Sequence, residues 1–306
     1  MSLARRERIV AICLVKDEID IIEQCLRAAR AWADRIFVYD NGSTDGTWEK
    51  VLALAETDEG VVPFRRDAKP FRDGLRSEVF HSHRASGAWW CILDADEFYI
   101  DDPRSFLGEL DPRHDSVWAS SYEYCFTDVD VARYRENPSR YADDVPVEEK
   151  IRFYANTWSE LRFFKDRKEL SWPAEAGEPY PLRLPAPRRI RLKHFQFRSP
   201  EQIQKRIEAR SPLAERGVAF HHETRENWRG YSRRAHELWA AGDDPRSRPQ
   251  SWEERVVDSS KLHFDAHDGT YVSDEVSLPP ITPNATEGEA GLIRRFAVKA
   301  RRLLPT

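Results

Sequence analysis

The run "WWCILDADEFYI", Trp89 to Ile100, closes an apolar stretch with three carboxylates, Asp94, Asp96 and Glu97. Alternate residues at a strand end point the same way, so Asp94 and Asp96 are expected to converge on one ligand. Bare carboxylates at that spacing repel one another and call for a cation or for hydrogen-bond donors. A hard divalent ion that takes oxygen ligands and bridges to phosphates meets the need, and one or two acids suffice for an ion that keeps its waters. Taken alone, the triplet also reads as a solvated acidic turn. A second acidic stretch, "RIFVYDNGSTDGT", ends a strand on Asp40 and breaks into a run of turn formers.

Both stretches need a scaffold. "RIVAICLV" is β-branched and apolar, the pattern of a strand covered on both faces. From Asp20 to Trp32, Ile21, Ile22, Cys25, Leu26 and Ala29 fall on one helical stripe, with Asp20 and Glu23 at capping-box spacing. "RIFVYD" is a second strand, and Trp48, Val51, Leu52 and Ala55 mark a second amphipathic helix. "GVVPF", a helix over Leu75 to Ala85, and the strand "WWCIL" follow. This alternation predicts βαβ units and an open, parallel α/β sheet. Ligands of such sheets bind outside the carboxyl ends of the strands, where Asp40 and Asp94 stand.

The combination "VYDNGSTDGT" and "WWCILDADEF", with the opening "CLVKDEIDIIEQCL", resembles family 2 nucleotide-sugar glycosyltransferases of the GT-A fold. Within them it is nearest the branch whose first turn reads Lys-Asn-Glu, with Asp17 here in place of the Asn. The resemblance covers Ile9 to about Asp101, and "KHFQFRSPEQIQKRI" extends it. It implies a mostly parallel sheet flanked by helices, with a Rossmann-like nucleotide-binding half, a mixed-strand acceptor half and C-terminal helices. It implies a donor contact in the first turn, at Val15, and hydrogen bonds from the donor nucleoside to Asp40. Asp94 would face the ribose and sugar, Asp96 would hold Mn2+ or Mg2+, and His194 would be a further metal or phosphate ligand. Arg72 and Arg76 stand where family members carry donor-phosphate contacts. Glu175 and Glu178, in "WPAEAGEP", are the candidates for the base that takes the proton of the acceptor hydroxyl, consistent with an inverting transfer. The expected reaction moves a sugar from a nucleoside-diphosphate donor to a glycan, a lipid-linked or another hydroxyl acceptor. A nucleotidyltransferase is the alternative, but "LVKDEID" lacks the Gly-rich basic loop that holds a triphosphate. A non-catalytic nucleotide-sugar or carbohydrate-binding relative is another.

The expected organisation is one catalytic domain over 1–240, with 1–101 holding the nucleotide sugar and 102–240 the acceptor, and a loop-rich extension over 241–306. The downstream strands are read as "SVWASSYEYCFTD", "KIRFYAN", "ELRFFK" and "RRIRLKHFQF", with a loop from Glu136 to Glu149. Ser199, Pro200 and Gln202 announce a capped helix. Between Arg183 and Arg210 nine Lys or Arg face two Glu, in a chain of net charge −5. That stretch suits a diphosphate or an anionic acceptor, or is a solvated face; nucleic acid is not expected. In "LIRRFAVKARRLL" the apolar and basic residues take opposite arcs of a helix, as in helices that lie on an anionic membrane surface. Cys13, Cys25, Cys91 and Cys125 lack metal-type spacing and read as buried thiols of a reducing compartment. The N-terminal apolar run is short for a signal peptide, so a cytoplasmic location is expected, with peripheral attachment to the inner face of the membrane.

Overall fold

The structure is a computed structural model, and it describes residues 7–215, 249–278 and 280–281. These form two compact units: one takes the described residues of 1–119, 160–192 and 280–306, the other those of 120–159 and 193–279.

The first unit is built around β1 (Ile9–Val15), buried along its whole length. Its alternate residues feed two cores. Ile9, Ala11, Cys13 and Val15 pack with Ile22, Cys25, Leu26 and Ala29 of α1 (Ile22–Arg30) and with Val51 and Leu54 of α2 (Thr47–Thr57). Val10, Ile12 and Leu14 face Val79 and Phe80 of α3 (Arg76–His83). Helices on both faces explain why "IVAICLV" has no polar alternation. Each aliphatic side chain so buried contributes about 1.5–3 kcal/mol relative to exposure.

Parallel to β1 run β2 (Arg35–Asp40) on one side and β4 (Trp89–Leu93) on the other, and β3 (Val61–Arg66) lies parallel beyond β2. On the far flank β8 (Leu161–Lys165) is antiparallel to β4, and the first residues of β6 (Ser116–Cys125) are antiparallel to β8. The order within this unit is thus β6-β8-β4-β1-β2-β3. The chain runs outward from β1 to β3, then returns to the opposite side of β1, so the strand order reverses between β1 and β4. Open α/β sheets bind ligands at such a reversal. This is the expected α/β architecture, a mostly parallel sheet with antiparallel strands, flanked by helices.

In the second unit, β7 (Phe153–Trp158) pairs antiparallel with Ser121–Cys125 of β6, and β10 (His263–Phe264) with β7. α5 (Asp128–Glu136), α6 (Val147–Lys150) and α7 (Pro200–Glu215) complete it; β9 (Ile190–His194), which pairs with β5 (Glu97–Tyr99), begins in the first unit and ends in the second.

Several local expectations are corrected. α1 has Ile21 at its N-cap, one residue after the Asp20 that the capping-box spacing pointed to. On α2 the buried stripe runs through Leu54, and Leu52 is exposed. The segment after Glu136 is not a loop throughout, because a 3-10 turn (Pro138–Tyr141) and α6 bury Tyr141 and Val147. Two short helices were missed: α4 (Pro103–Gly108), where Asp102 accepts from Ser105 N at 2.7 Å, and α5, where Thr127 and Asp130 cap each other. α7 starts as read, with Ser199 Oγ accepting from Gln202 N, but the Gln202 amide oxygen reaches back to Arg198 N. The basic tail lies outside the described residues. All four cysteines are buried thiols, and no helix among the described residues is long and apolar enough to cross a membrane.

Candidate functional site

Asp40 ends β2 in register with Val15, the last residue of β1. Asp94 follows directly on β4, whose last residue Leu93 pairs with Cys13. The two acids therefore stand within one residue of the same level of the rim, on the strands flanking β1 and separated by roughly two strand spacings, about 10 Å. A register shift between β2 and β3 falls at Val38 and Tyr39, immediately before Asp40; such irregularities re-aim side chains at sheet rims.

Asp40 is fully buried. Its Oδ1 accepts from Gly42 N at 2.9 Å and Ser43 N at 2.7 Å, while Oδ2 is buried with no hydrogen-bond partner. A buried carboxylate oxygen left unbonded is costly and marks a place where a ligand donor would be welcome. The turn depends on Gly42, whose φ is 78° and whose Cβ would lie 2.9 Å from that of Ala68.

The turn after β1 is tied by hydrogen bonds to the loop after β2 and the start of α2. Asp17 N donates to Ser43 Oγ at 2.9 Å and Thr44 N to Asp17 Oδ1 at 2.7 Å. Glu18 N donates to Thr47 Oγ1 at 2.9 Å and Ile19 N to Asp45 Oδ2 at 3.0 Å. Asp17 adopts a left-handed φ of 53°, a region that Asp and Asn tolerate better than most residues. Asp17 thus joins the two loops that border the β1–β2 rim, a role that sequence reasoning did not give it.

Beyond Leu93 the chain turns, with Glu97 N donating to Asp94 O at 3.2 Å, so the alternation of a strand no longer sets the side-chain directions. The acids whose oxygens come together, within 4.8 Å of one another, are Asp94, Glu97 and Glu160. Asp96 is buried nearby in the turn but is not one of that group. Two buried guanidiniums hold Asp94: Arg76 Nη2 lies 2.5 Å from Oδ1, and Arg162 Nη2 lies 2.9 Å from Oδ2. Arg162 Nη2 also reaches Glu160 at 2.7 Å and is bonded to Glu97. Asp94 keeps 31% of its side chain exposed. Burial works against the charge of both arginines, but Asp94 and Asp73 beside Arg76, and Glu160, Glu97 and Asp94 beside Arg162, override it and raise both pKa values. Under the rim, burial above all, reinforced by the field of the acids, pushes the thiols of Cys13 and Cys25 far up, so neither is an activated nucleophile.

Arg76 opens α3 and also grips Asp73 at 2.8 Å, whereas Arg72 is exposed. Glu175 is exposed and Glu178 half-buried, on a loop whose backbone lies against the turn that carries Arg76. A Cβ on Gly74 would come within 1.9 Å of Ala174 O, and Trp172 Nε1 pins the loop by donating to Ala176 O at 2.9 Å. His194 belongs to the second unit, where its Nδ1 is 3.0 Å from the Glu123 carboxylate. A carboxylate on one ring nitrogen fixes the tautomer and orientation of ligating histidines.

The structure therefore gathers Asp40, Val15, Asp94, Asp96 and Arg76 on or beneath one rim, with the loop of Glu175 and Glu178 beside Arg76. Arg162 and Glu160 were missed. The one local trace of Arg162 was a charge set between the apolar Leu161 and Phe163 of β8, and Glu160, just before that strand, left none. The hard carboxylate oxygens of this rim suit Mn2+ or Mg2+.

A family model described as Glycosyl transferase family 2 matches residues 10–173. Among solved structures, the chain is similar to a mannosyltransferase, PcManGT from Pyrobaculum calidifontis, in complex with GDP-Man and Mn2+. The two are 21% identical over 53% of this chain and 45% of that one, with a TM-score of 0.33. It is also similar to residues 1–349 of S. aureus TarS in complex with UDP, 15% identical over 39% of this chain and 35% of that one, with a TM-score of 0.26. Each match spans less than half of the solved chain.

Proposed function

The chain belongs to glycosyl transferase family 2, and from that premise we propose that it moves a sugar from a nucleoside-diphosphate donor to a hydroxyl acceptor with the help of a divalent metal. The observation that carries the reading is the rim where the strand order reverses. It sets a buried Asp40, with one oxygen unbonded, level with a fixed, part-exposed Asp94.

Asp40 accepts hydrogen bonds from the donor nucleoside, beside the first-turn contact at Val15. Asp94, oriented by Arg76, faces the ribose and sugar. Arg72 contributes to holding the diphosphate. Asp96 is the proposed metal ligand, with His194 as a further ligand to the metal or to phosphate. Mn2+ or Mg2+ bound there would supply Lewis-acid stabilisation of the charge that builds on the departing nucleoside diphosphate. Glu175 or Glu178 takes the proton of the attacking hydroxyl, giving inversion. Residues 1–101 serve the donor and 102–240 the acceptor, a glycan or lipid-linked sugar, within one catalytic domain over 1–240. The basic tail of the 241–306 extension serves contact with an anionic membrane surface.

The test is transfer and hydrolysis of radiolabelled nucleotide sugars, UDP- and GDP-linked first, with Mn2+ or with chelator. The reading expects release that depends on the metal and falls by about 100-fold or more in Asp96→Ala. Full metal-dependent transfer by Asp96→Ala would remove that residue from the site. Metal-independent turnover would remove the metal.

A further inference from the structure

Three carboxylates within 4.8 Å of one another look like a metal seat, but a nitrogen already stands among them. Arg162 Nη2 is 2.9 Å from Asp94 Oδ2 and 2.7 Å from Glu160 Oε1, and is bonded to Glu97 as well. A divalent ion binding the same oxygens would need to sit about 2.0–2.6 Å from each. It would occupy the place of that guanidinium nitrogen, and the two positive charges would repel. Arg162 has nowhere else to go. Its side chain is 3% exposed, and it rises from β8 between the buried Leu161 and Phe163, with Phe163 locked in register to Cys91 of β4. Its Nε is buried without a hydrogen-bond partner, so the charge is satisfied through the Nη end facing the acids.

We propose that Arg162 is a built-in cation that takes the place of a metal in the pocket of Asp94, Glu97 and Glu160, and that its work is to position Asp94. In the chain as it stands, Asp94 is clamped on one oxygen by Arg76 from α3 and on the other by Arg162 from β8. The carboxylate is thereby held from a helix and a strand, and its direction does not depend on metal. Glu97 and Glu160 anchor the guanidinium. The divalent ion that serves the donor is held outside this pocket. The inference rests on the donor-site reading only for the purpose of Asp94. The filled pocket itself is made by this chain's own side chains.

The experiment is a titration of the full chain with Mn2+, followed by electron paramagnetic resonance of the free ion, with and without UDP or GDP. It compares wild type, Glu160→Gln and Arg162→Met. No turnover is needed, so failure of the glycosyltransferase reading and failure of this inference are distinguishable. Arg162→Met is expected to gain a nucleotide-independent Mn2+ site, about tenfold or more tighter than any in wild type, and Mn2+ is expected to raise its Tm. Glu160→Gln is expected to bind Mn2+ as wild type does. The inference is overturned if Arg162→Met gains no such site, or if Glu160→Gln weakens wild-type Mn2+ binding by about tenfold, since Glu160 would then be a metal ligand. Should Arg162→Met fail to fold, Glu160→Gln decides the question alone, because Glu160 is 34% exposed and its loss leaves Arg162 two partners.

Discussion

Arg76 Nη2 sits 2.5 Å from Asp94 Oδ1, a contact that joins the first residue of α3 to the residue just past β4. Arg76 is buried and its other terminal nitrogen holds Asp73. One guanidinium thus fastens a helix start to the rim. Arg76→Ala should cost about 3–5 kcal/mol, the range for removing one partner of a buried pair. Arg76→Lys should recover little of that, since an ammonium is a point charge and does not span two carboxylates as a planar fork does. Urea denaturation of the three proteins checks both statements, and a lysine variant as stable as wild type would argue against bridging.

Gly74 is required by close approach. Any Cβ there meets the carbonyl of Ala174, a backbone atom that cannot swing aside. Gly74→Ala should therefore destabilise by about 1–3 kcal/mol. It should also shift the loop of Glu175 and Glu178, seen as faster proteolysis within 172–178 than in wild type.

Asp265, in the second unit, contributes a pH dependence of definite sign. Its carboxylate is buried, which works against its charge, but Tyr124, the His267 N–H and Lys193 at 3.1 Å all bond to it and hold its pKa below the usual range. A depressed carboxylate pKa means that the stabilisation is complete above the unfolded value of about 3.9 and is lost as pH falls through the folded one. Denaturant midpoints measured from about pH 6 downward should show wild type above Asp265→Asn at the start, with the gap closing below about pH 4. A constant gap would mean that the carboxylate charge is not what stabilises.

The base assignment is open to direct trial. If Glu175 or Glu178 takes the acceptor proton, the matching Gln variant should lose about 100-fold or more in kcat with the donor KM little changed. If both variants turn over at the wild-type rate, neither is the base.

How much was legible follows from which forces leave a trace in one sequence. "IVAICLV", "RIFVYD" and "WWCIL" were readable because burial on both faces removes polar residues, and charged or turn-forming residues bounded them. α4 is short and α5 buries only Asp130, so neither shows a long apolar stripe, and their caps, Asp102 and Thr127 with Asp130, were the local signal. Asp40 and Asp94 were visible as acids ending apolar strands. The grouping of Asp94 with Glu97 and Glu160 was not legible, because the chain turns at Asp94 and a strand rule no longer applies. Arg162 and Glu160 reach Asp94 only through the antiparallel pairing of β8 with β4, a long-range register that no local pattern encodes.

The central claim is that a rim of acids at the reversal of strand order holds a nucleoside diphosphate through Asp40 with the help of a divalent ion. Calorimetric titration of UDP, GDP, ADP and CDP into the full chain, with Mn2+ and then with chelator, tests it most directly. The account predicts that at least one of the four binds with Mn2+, that chelator weakens it, and that Asp40→Asn loses about tenfold or more, the worth of a hydrogen bond to a charged group. Binding by none of the four, or equal binding by wild type and Asp40→Asn, would contradict it.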